Sequence, residues 1–157
     1  MSITESEQRA LTFEELGVPD FVCRSLQRRG IKEPFAIQRV AIADIMQGND
    51  VCGAAPTGSG KTLAFGIPLV AMTSKGSPHR PTSLVLSPTR ELADQIASEI
   101  KSLTQSTSIT TVYGGVAYGK QVKALKYGTD ILVACPGRLE DLMESGTVVL
   151  DDIERVV

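Results

Sequence analysis

The sequence predicts an α/β domain, a mostly parallel sheet with helices on both faces. Two observations predict it. From residue 50 onward, short apolar stretches alternate with helix-patterned segments about 8–15 residues long, the rhythm of strand–helix–strand units. Each glycine-rich or polar motif also falls directly after one of those stretches, at the carboxyl end of a strand, where open sheets of this kind hold their ligands. A chain of 157 residues suffices for one ordinary core.

The elements follow in order. Met1 to Glu7 has neither the basic start nor the apolar stretch of a signal peptide, so residues 1–10 are expected to be a disordered lead-in. Pro19 to Arg29 reads as a helix. Pro19 suits a first helical position, Val18, Val22 and Leu26 share a face, and Gly30 stops it. Ala36 to Gln47 reads as a second, with Ile37, Ala41 and Ile45 on one face and Gly48 at its end. Asp50 to Ala54 reads as a short strand, followed by a glycine-rich loop and an apolar helix from Gly60 to Met72. Ser74 to Pro81 is a loop by composition. Strands are expected at Ser83–Ser87, Ile109–Tyr113, Asp130–Ala134 and Glu154–Val157. Between them lie a helix capped by Thr89 with Leu92, Ile96, Ile100 and Leu103 as its apolar stripe, a helix over Ala117–Lys126, and another over Arg138–Glu144.

Composition narrows the class. Apolar residues make up 42% and charged residues 22%, the balance of a soluble globular domain. With four Phe, three Tyr and no Trp, the core must rest on Ile, Leu, Val and Ala. A net charge of -2 provides no global basic field, so nucleic-acid binding would have to come from a local patch. No apolar run approaches the ~20 residues needed to cross a bilayer, so no membrane partner is expected. Cys23, Cys52 and Cys135 match no metal spacing and read as reduced thiols of a cytoplasmic protein.

The chemistry concentrates in Ala55-Pro56-Thr57-Gly58-Ser59-Gly60-Lys61-Thr62. Glycines let backbone N–H groups converge on phosphate oxygens, and the helix that follows adds positive potential. Lys61 would contact the β- and γ-phosphates of a nucleotide, and the Thr62 hydroxyl would ligate Mg²⁺; these two are the expected catalytic positions within the chain. Ala55 occupies the position at which the strict pattern has Gly. A glycine-rich turn that merely precedes a helix is the alternative, and Gly-Lys-Thr at this spacing argues against it.

The Ala-x-x-Gly-x-Gly-Lys-Thr form, followed by Pro88-Thr89-Arg90-Glu91-Leu92-Ala93, Tyr113-Gly114-Gly115 and Cys135-Pro136-Gly137-Arg138, resembles the first, RecA-like P-loop domain of DEAD-box RNA helicases. Upstream, Gly30 to Gln38 resembles the family's adenine-reading Q motif, with Phe13 as its isolated aromatic. The resemblance covers residues 12 to 157 and divides the chain into a Q-motif region at 11–39 and a partial ATP-binding domain at 40–157. It implies ATP and Mg²⁺ as cofactors, with Phe13, Ile31, Gln38 and residues 55–62 toward the nucleotide. It implies RNA as partner along Pro88, Thr89, Arg90, Glu91, Gly114, Gly115, Pro136, Gly137 and Arg138. Contacts of that kind read sugar–phosphate backbone, so binding is expected to be sequence-independent. Gln38 alone would pass for a solvated helix residue, and Arg90 with Glu91 for an intramolecular ion pair. Within the resemblance, Ile31 stands where the family has an aromatic, Phe35-Ala36 replaces Ser/Thr-Pro, and Cys135 replaces Thr.

By the same resemblance the acidic Asp-Glu-Ala-Asp motif is expected about two residues beyond Val157, followed by the Ser-Ala-Thr motif and a second RecA-like domain. The fold is therefore expected to be incomplete at the C-terminus, with the phosphate-loop strand short of its neighbours. The chain itself is expected to bind nucleotide at most. The alternatives are a non-catalytic nucleotide- or RNA-binding module and a P-loop ATPase unrelated to RNA. His79 reads as a solvated loop histidine, the Lys120, Lys123 and Lys126 face as a solvated one, and Asp151-Asp152 as turn chemistry.

Overall fold

A computed structural model describes residues 11–157, so the lead-in expected at 1–10 lies outside the described residues. Its helices are α1 (Asp20–Arg28), α2 (Ala36–Met46), α3 (Lys61–Met72), α4 (Arg90–Lys101), α5 (Tyr118–Tyr127) and α6 (Pro136–Glu144). Its strands are β1 (Ser83–Leu86), β2 (Ile109–Val112), β3 (Ile131–Ala134) and β4 (Arg155–Val156). The four strands form one sheet in the order β2-β3-β1-β4, and every pairing is parallel.

The side-chain alternation of a strand places helices on both faces. Ile131 and Val133 of β3 join a core with Val22 and Leu26 of α1, Ile67 of α3 and Ile96 and Ile100 of α4. Leu132 and Ala134, the alternate residues, join a second core with Leu125 of α5 and Leu139 and Leu142 of α6. All four β3 side chains are buried, as expected of the inner strand of a doubly covered parallel sheet.

Helix ends sit within two residues of expectation, and Thr89 does cap α4, its Oγ1 accepting the Leu92 N–H at 3.3 Å. Two readings are corrected. Residues 50–54 form no strand. Asp50 and Val51 face Arg155, Val156 and Val157 across a groove of about 420 Å³, so their backbone has no ladder partner within reach. His79 is not free in solvent. Its Nδ1 lies 2.7 Å from the Thr147 carbonyl, its N–H donates to Leu125 O, and its own carbonyl accepts from Val149 N–H. These bonds hold it at φ 65, a left-handed conformation that non-glycine residues adopt only at a cost.

At the amino ends of the strands, the buried carboxylate of Asp130 gathers the connecting loops. It accepts from Gly76 N–H at 2.8 Å, Ser108 N–H at 2.8 Å and Lys75 Nζ at 2.9 Å. Asp151 and Asp152 form a turn, as read, and Arg80 pairs with both.

Candidate nucleotide and RNA site

The phosphate loop enters α3 through two glycines in the left-handed region, Gly58 at φ 78 and Gly60 at φ 81. A side chain at either would cost roughly 1–2 kcal/mol in backbone strain. Gly60 is required a second time by contact. A Cβ there would lie 2.4 Å from Gln38 Nε2 and 2.9 Å from Phe35 Cδ2. The Lys61 ammonium folds back over the loop and donates to the carbonyls of Ala55 and Pro56, the second at 3.1 Å. The Ser59 hydroxyl is buried without a hydrogen-bond partner, and no side chain caps the α3 N-terminus. Orphan N–H groups at a helix start, an ammonium folded over the loop and an unpaired hydroxyl fit a phosphate chain well. Thr62, half-buried in the first turn of α3, is where a metal on such a phosphate would find a hydroxyl.

Gln38 is the link from α2 to this loop. Its Oε1 accepts the Phe35 N–H at 2.9 Å and its Nε2 donates to Gly60 O at 3.1 Å, with the side chain 1% exposed. One lone pair and one amide hydrogen of Gln38 are left over after these bonds. Phe13 and Ile31 go elsewhere. Phe13 is buried in the core, Ile31 packs against the same cluster, and both line a cavity of about 360 Å³ that contains no phosphate-loop residue.

The second group of residues lies at the carboxyl ends of β1, β2 and β3, which the parallel register places side by side. Arg90 and Glu91 form an ion pair at 2.8 Å, and Arg90 Nη1 reaches within 3.7 Å of the Cβ position of Gly115. Pro88, Thr89, Gly114, Pro136 and Gly137 are exposed along the same rim. Cys135 sits beneath it, its thiol raised by burial and then by the Glu91 and Asp94 carboxylates. Sequence reasoning missed two partnerships here. The Tyr113 hydroxyl donates to Asp94 at 2.8 Å, a bond that raises the phenol's pKa. The Arg138 guanidinium stacks 5.1 Å from the Tyr118 ring centroid. Its Nε and Nη1 are buried without hydrogen-bond partners, and the Asp141 carboxylate, at 3.7 Å, is too far to supply one. Among the described residues no hydrogen bond or ion pair joins this rim to the phosphate loop.

Fold and loop together have the form of a P-loop domain built on a parallel sheet. The model of the DEAD/DEAH box helicase family matches residues 35–157, and the chain belongs to that family. The ATP-dependent RNA helicase DeaD of Haemophilus influenzae is 41% identical over 150 residues, which cover 94% of this chain and 24% of the relative. DEAD-box ATP-dependent RNA helicase 53 of Oryza sativa is 42% identical over 152 residues, with 94% and 25% covered. The chain thus spans about a quarter of the length of these curated relatives. Among solved structures, a DEAD box protein from Methanococcus jannaschii superposes with a TM-score of 0.85 at 35% identity, over 92% of this chain and 40% of that one. The RNA helicase Prp28 of Chaetomium thermophilum, solved bound to ADP, superposes at 0.84 with 36% identity, over 99% and 39%. Among the described residues no helix is long and apolar enough to cross a membrane.

Proposed function

We propose that this chain is the ATP-binding part of an ATP-dependent RNA helicase of the cytoplasm, holding the triphosphate while its strand-end rim grips RNA. The observation that carries the reading is the loop at the start of α3, with left-handed Gly58 and Gly60, the Lys61 ammonium folded over it and the unpaired Ser59 hydroxyl inside it. The backbone N–H groups of residues 58–62 would receive phosphate oxygens. Lys61 would exchange the Ala55 and Pro56 carbonyls for β- and γ-oxygens, neutralising charge that grows during phosphoryl transfer. Thr62 would hold Mg²⁺, which supplies electrostatic stabilisation of the same oxygens. Gln38 ties the loop to α2, and its spare amide hydrogen and lone pair match the edge of adenine.

On the rim, Arg138 carries unpaired N–H donors and Arg90 a charge shared with Glu91, both beside helix starts and exposed glycines. Such a surface suits a sugar–phosphate backbone and reads no base. This arrangement supports RNA binding over a P-loop ATPase with no nucleic-acid partner. In the chain's relatives the activity belongs to proteins about four times longer, so the expectation for the chain is binding with little or no turnover.

Calorimetric titration with Mg²⁺-ADP and with single-stranded RNA tests the reading. Lys61→Ala is expected to weaken ADP at least tenfold and leave RNA unchanged, while Arg138→Ala is expected to weaken RNA uniformly across sequences. Absence of ADP binding at millimolar concentration would refute the proposal.

A further inference from the structure

β2 is an edge strand of the sheet and pairs only with β3. The Ser108 carbonyl accepts from Ile131 N–H and the Val112 carbonyl from Cys135 N–H, so the backbone at 108, 110 and 112 is turned inward. The alternation of a strand then turns the N–H and C=O groups of Ile109 and Thr111 outward. An edge of this kind is a template for another strand.

A groove of about 630 Å³ runs along this edge. From one face of the sheet α4 contributes Lys101, and from the other α5 contributes Lys120 and Gln121. Both lysines are exposed, and neither makes a hydrogen bond or ion pair among the described residues. Buried Ile109 and half-exposed Val116 add apolar surface. No carboxylate lines the groove, and Asp94, which touches it through Tyr113, is already engaged by that hydroxyl. Gln121 adds an independent sign of a missing occupant. Its side chain is 6% exposed, and its Nε2 donates to the Tyr113 carbonyl at 3.0 Å. Its Oε1 is buried without a donor. A buried acceptor left unmet is costly, and this one lacks only a donor from outside the chain.

We infer that the β2 edge is a docking site for an extended acidic segment of a partner protein, which adds to the sheet as a strand beside β2. Ile109 and Thr111 supply its main-chain hydrogen bonds, the contribution that gives affinity in this mode of recognition. Successive side chains of a strand point to opposite faces, so adjacent carboxylates in the segment meet Lys101 of α4 and Lys120 of α5. A main-chain N–H of the segment supplies the donor that Gln121 Oε1 lacks. Two free ammonium groups and no lining carboxylate select an acidic partner over a basic one. A nucleic-acid strand would use the ammonium groups but leave the outward N–H and C=O groups of β2 without the regularly spaced partners another strand offers. The groove contains no residue of the phosphate loop and none of the rim positions from Pro88 to Glu91, at Gly114 and Gly115, or from Pro136 to Arg138.

Two pools of fluorescently labelled, capped hexapeptides test the inference. Both carry Val, Ile or Thr at the outer positions, residues that favour strands. The central pair is Asp or Glu in one pool and Lys or Arg in the other. The chain is expected to bind the acidic pool about tenfold more tightly than the basic one, and the acidic pool to slow amide exchange at Ile109 and Thr111. The double variant Lys101→Glu with Lys120→Glu changes only exposed side chains and is expected to weaken the acidic pool about tenfold. Thr111→Pro removes an outward N–H that the β2–β3 ladder does not use, and is expected to weaken it similarly. Equal binding of the two pools overturns the inference, as does no binding of the acidic pool at millimolar concentration. So does a folded double variant that keeps its affinity for the acidic pool. Oligouridylate is expected to bind the double variant as it binds wild type; a loss confined to oligouridylate would assign the groove to RNA and overturn the peptide reading.

Discussion

Outside the site, the Asp130 side chain ties together the segments around Lys75, Gly76 and Ser108. Burial pushes its carboxyl upward, but the Lys75 ammonium and the Ser108 and Gly76 N–H groups together outweigh burial and hold it below its usual 3.8. A carboxyl lowered by folding stabilises fully above its unfolded value, and that contribution disappears as pH falls through the lower folded value. Acid unfolding is therefore expected to acquire a component below pH 3.8 that Asp130→Ala lacks. At neutral pH Asp130→Ala strands two backbone donors and should cost about 2 kcal/mol, read from urea midpoints. Gly76 gives a companion test. A Cβ there would stand 2.0 Å from the Thr129 carbonyl, so Gly76→Ala is expected to destabilise by roughly 1–3 kcal/mol through forced backbone movement. A midpoint within error of wild type would contradict the packing at this corner. Neither role was legible in the sequence, where Asp130 reads as the first residue of a strand and Gly76 as one more loop glycine. Each depends on what lies opposite in space. The placement of Lys61 and Thr62 at the start of a helix behind a glycine loop was legible because it is local to one stretch of chain.

Helices were read more faithfully than strands, for a physical reason. A helix satisfies its hydrogen bonds within itself, so caps and stripes announce it. Thr89 is an example: its Oγ1 takes the Leu92 N–H at the start of α4. Thr89→Ala is expected to cost about 1 kcal/mol, while Thr89→Ser, which keeps the capping oxygen, is expected to cost nothing measurable, as read by chemical denaturation. A strand is completed only by its neighbours. Val51 and Cys52 have the composition of a strand, yet residues 50–54 are exposed and unpaired, whereas the equally apolar β3 is paired on both sides and wholly buried. Native-state amide exchange is expected to separate them. The β3 amides should exchange only on global unfolding, and those of residues 50–54 in minutes or less. Comparable protection in the two segments would show that 50–54 does find a ladder. Phe35 was readable as a departure at a helix start, but its contact with Gly60, 25 residues away in sequence, was not.

At the scale of the whole molecule, the parallel sheet decides what can meet what. Because β1, β2 and β3 run the same way, their carboxyl ends bring Thr89, Gly115 and Arg138 to one rim, while the loops that tie the fold together collect at the opposite end around Asp130. The phosphate loop depends on neither. It is held by α2 through Gln38 and by its own glycines. Binding phosphate and binding RNA are thus expected to be separable in this chain, with Lys61→Ala and Arg138→Ala each affecting one ligand. The most direct test follows the backbone amides of the loop before α3 by two-dimensional NMR during titration with Mg²⁺-ADP. Large shifts confined to Gly58, Ser59, Gly60, Lys61 and Thr62 and their Phe35–Gln38 neighbours are predicted. Shifts absent from that loop, with binding elsewhere or none at millimolar nucleotide, would contradict the reading of this loop as the phosphate site.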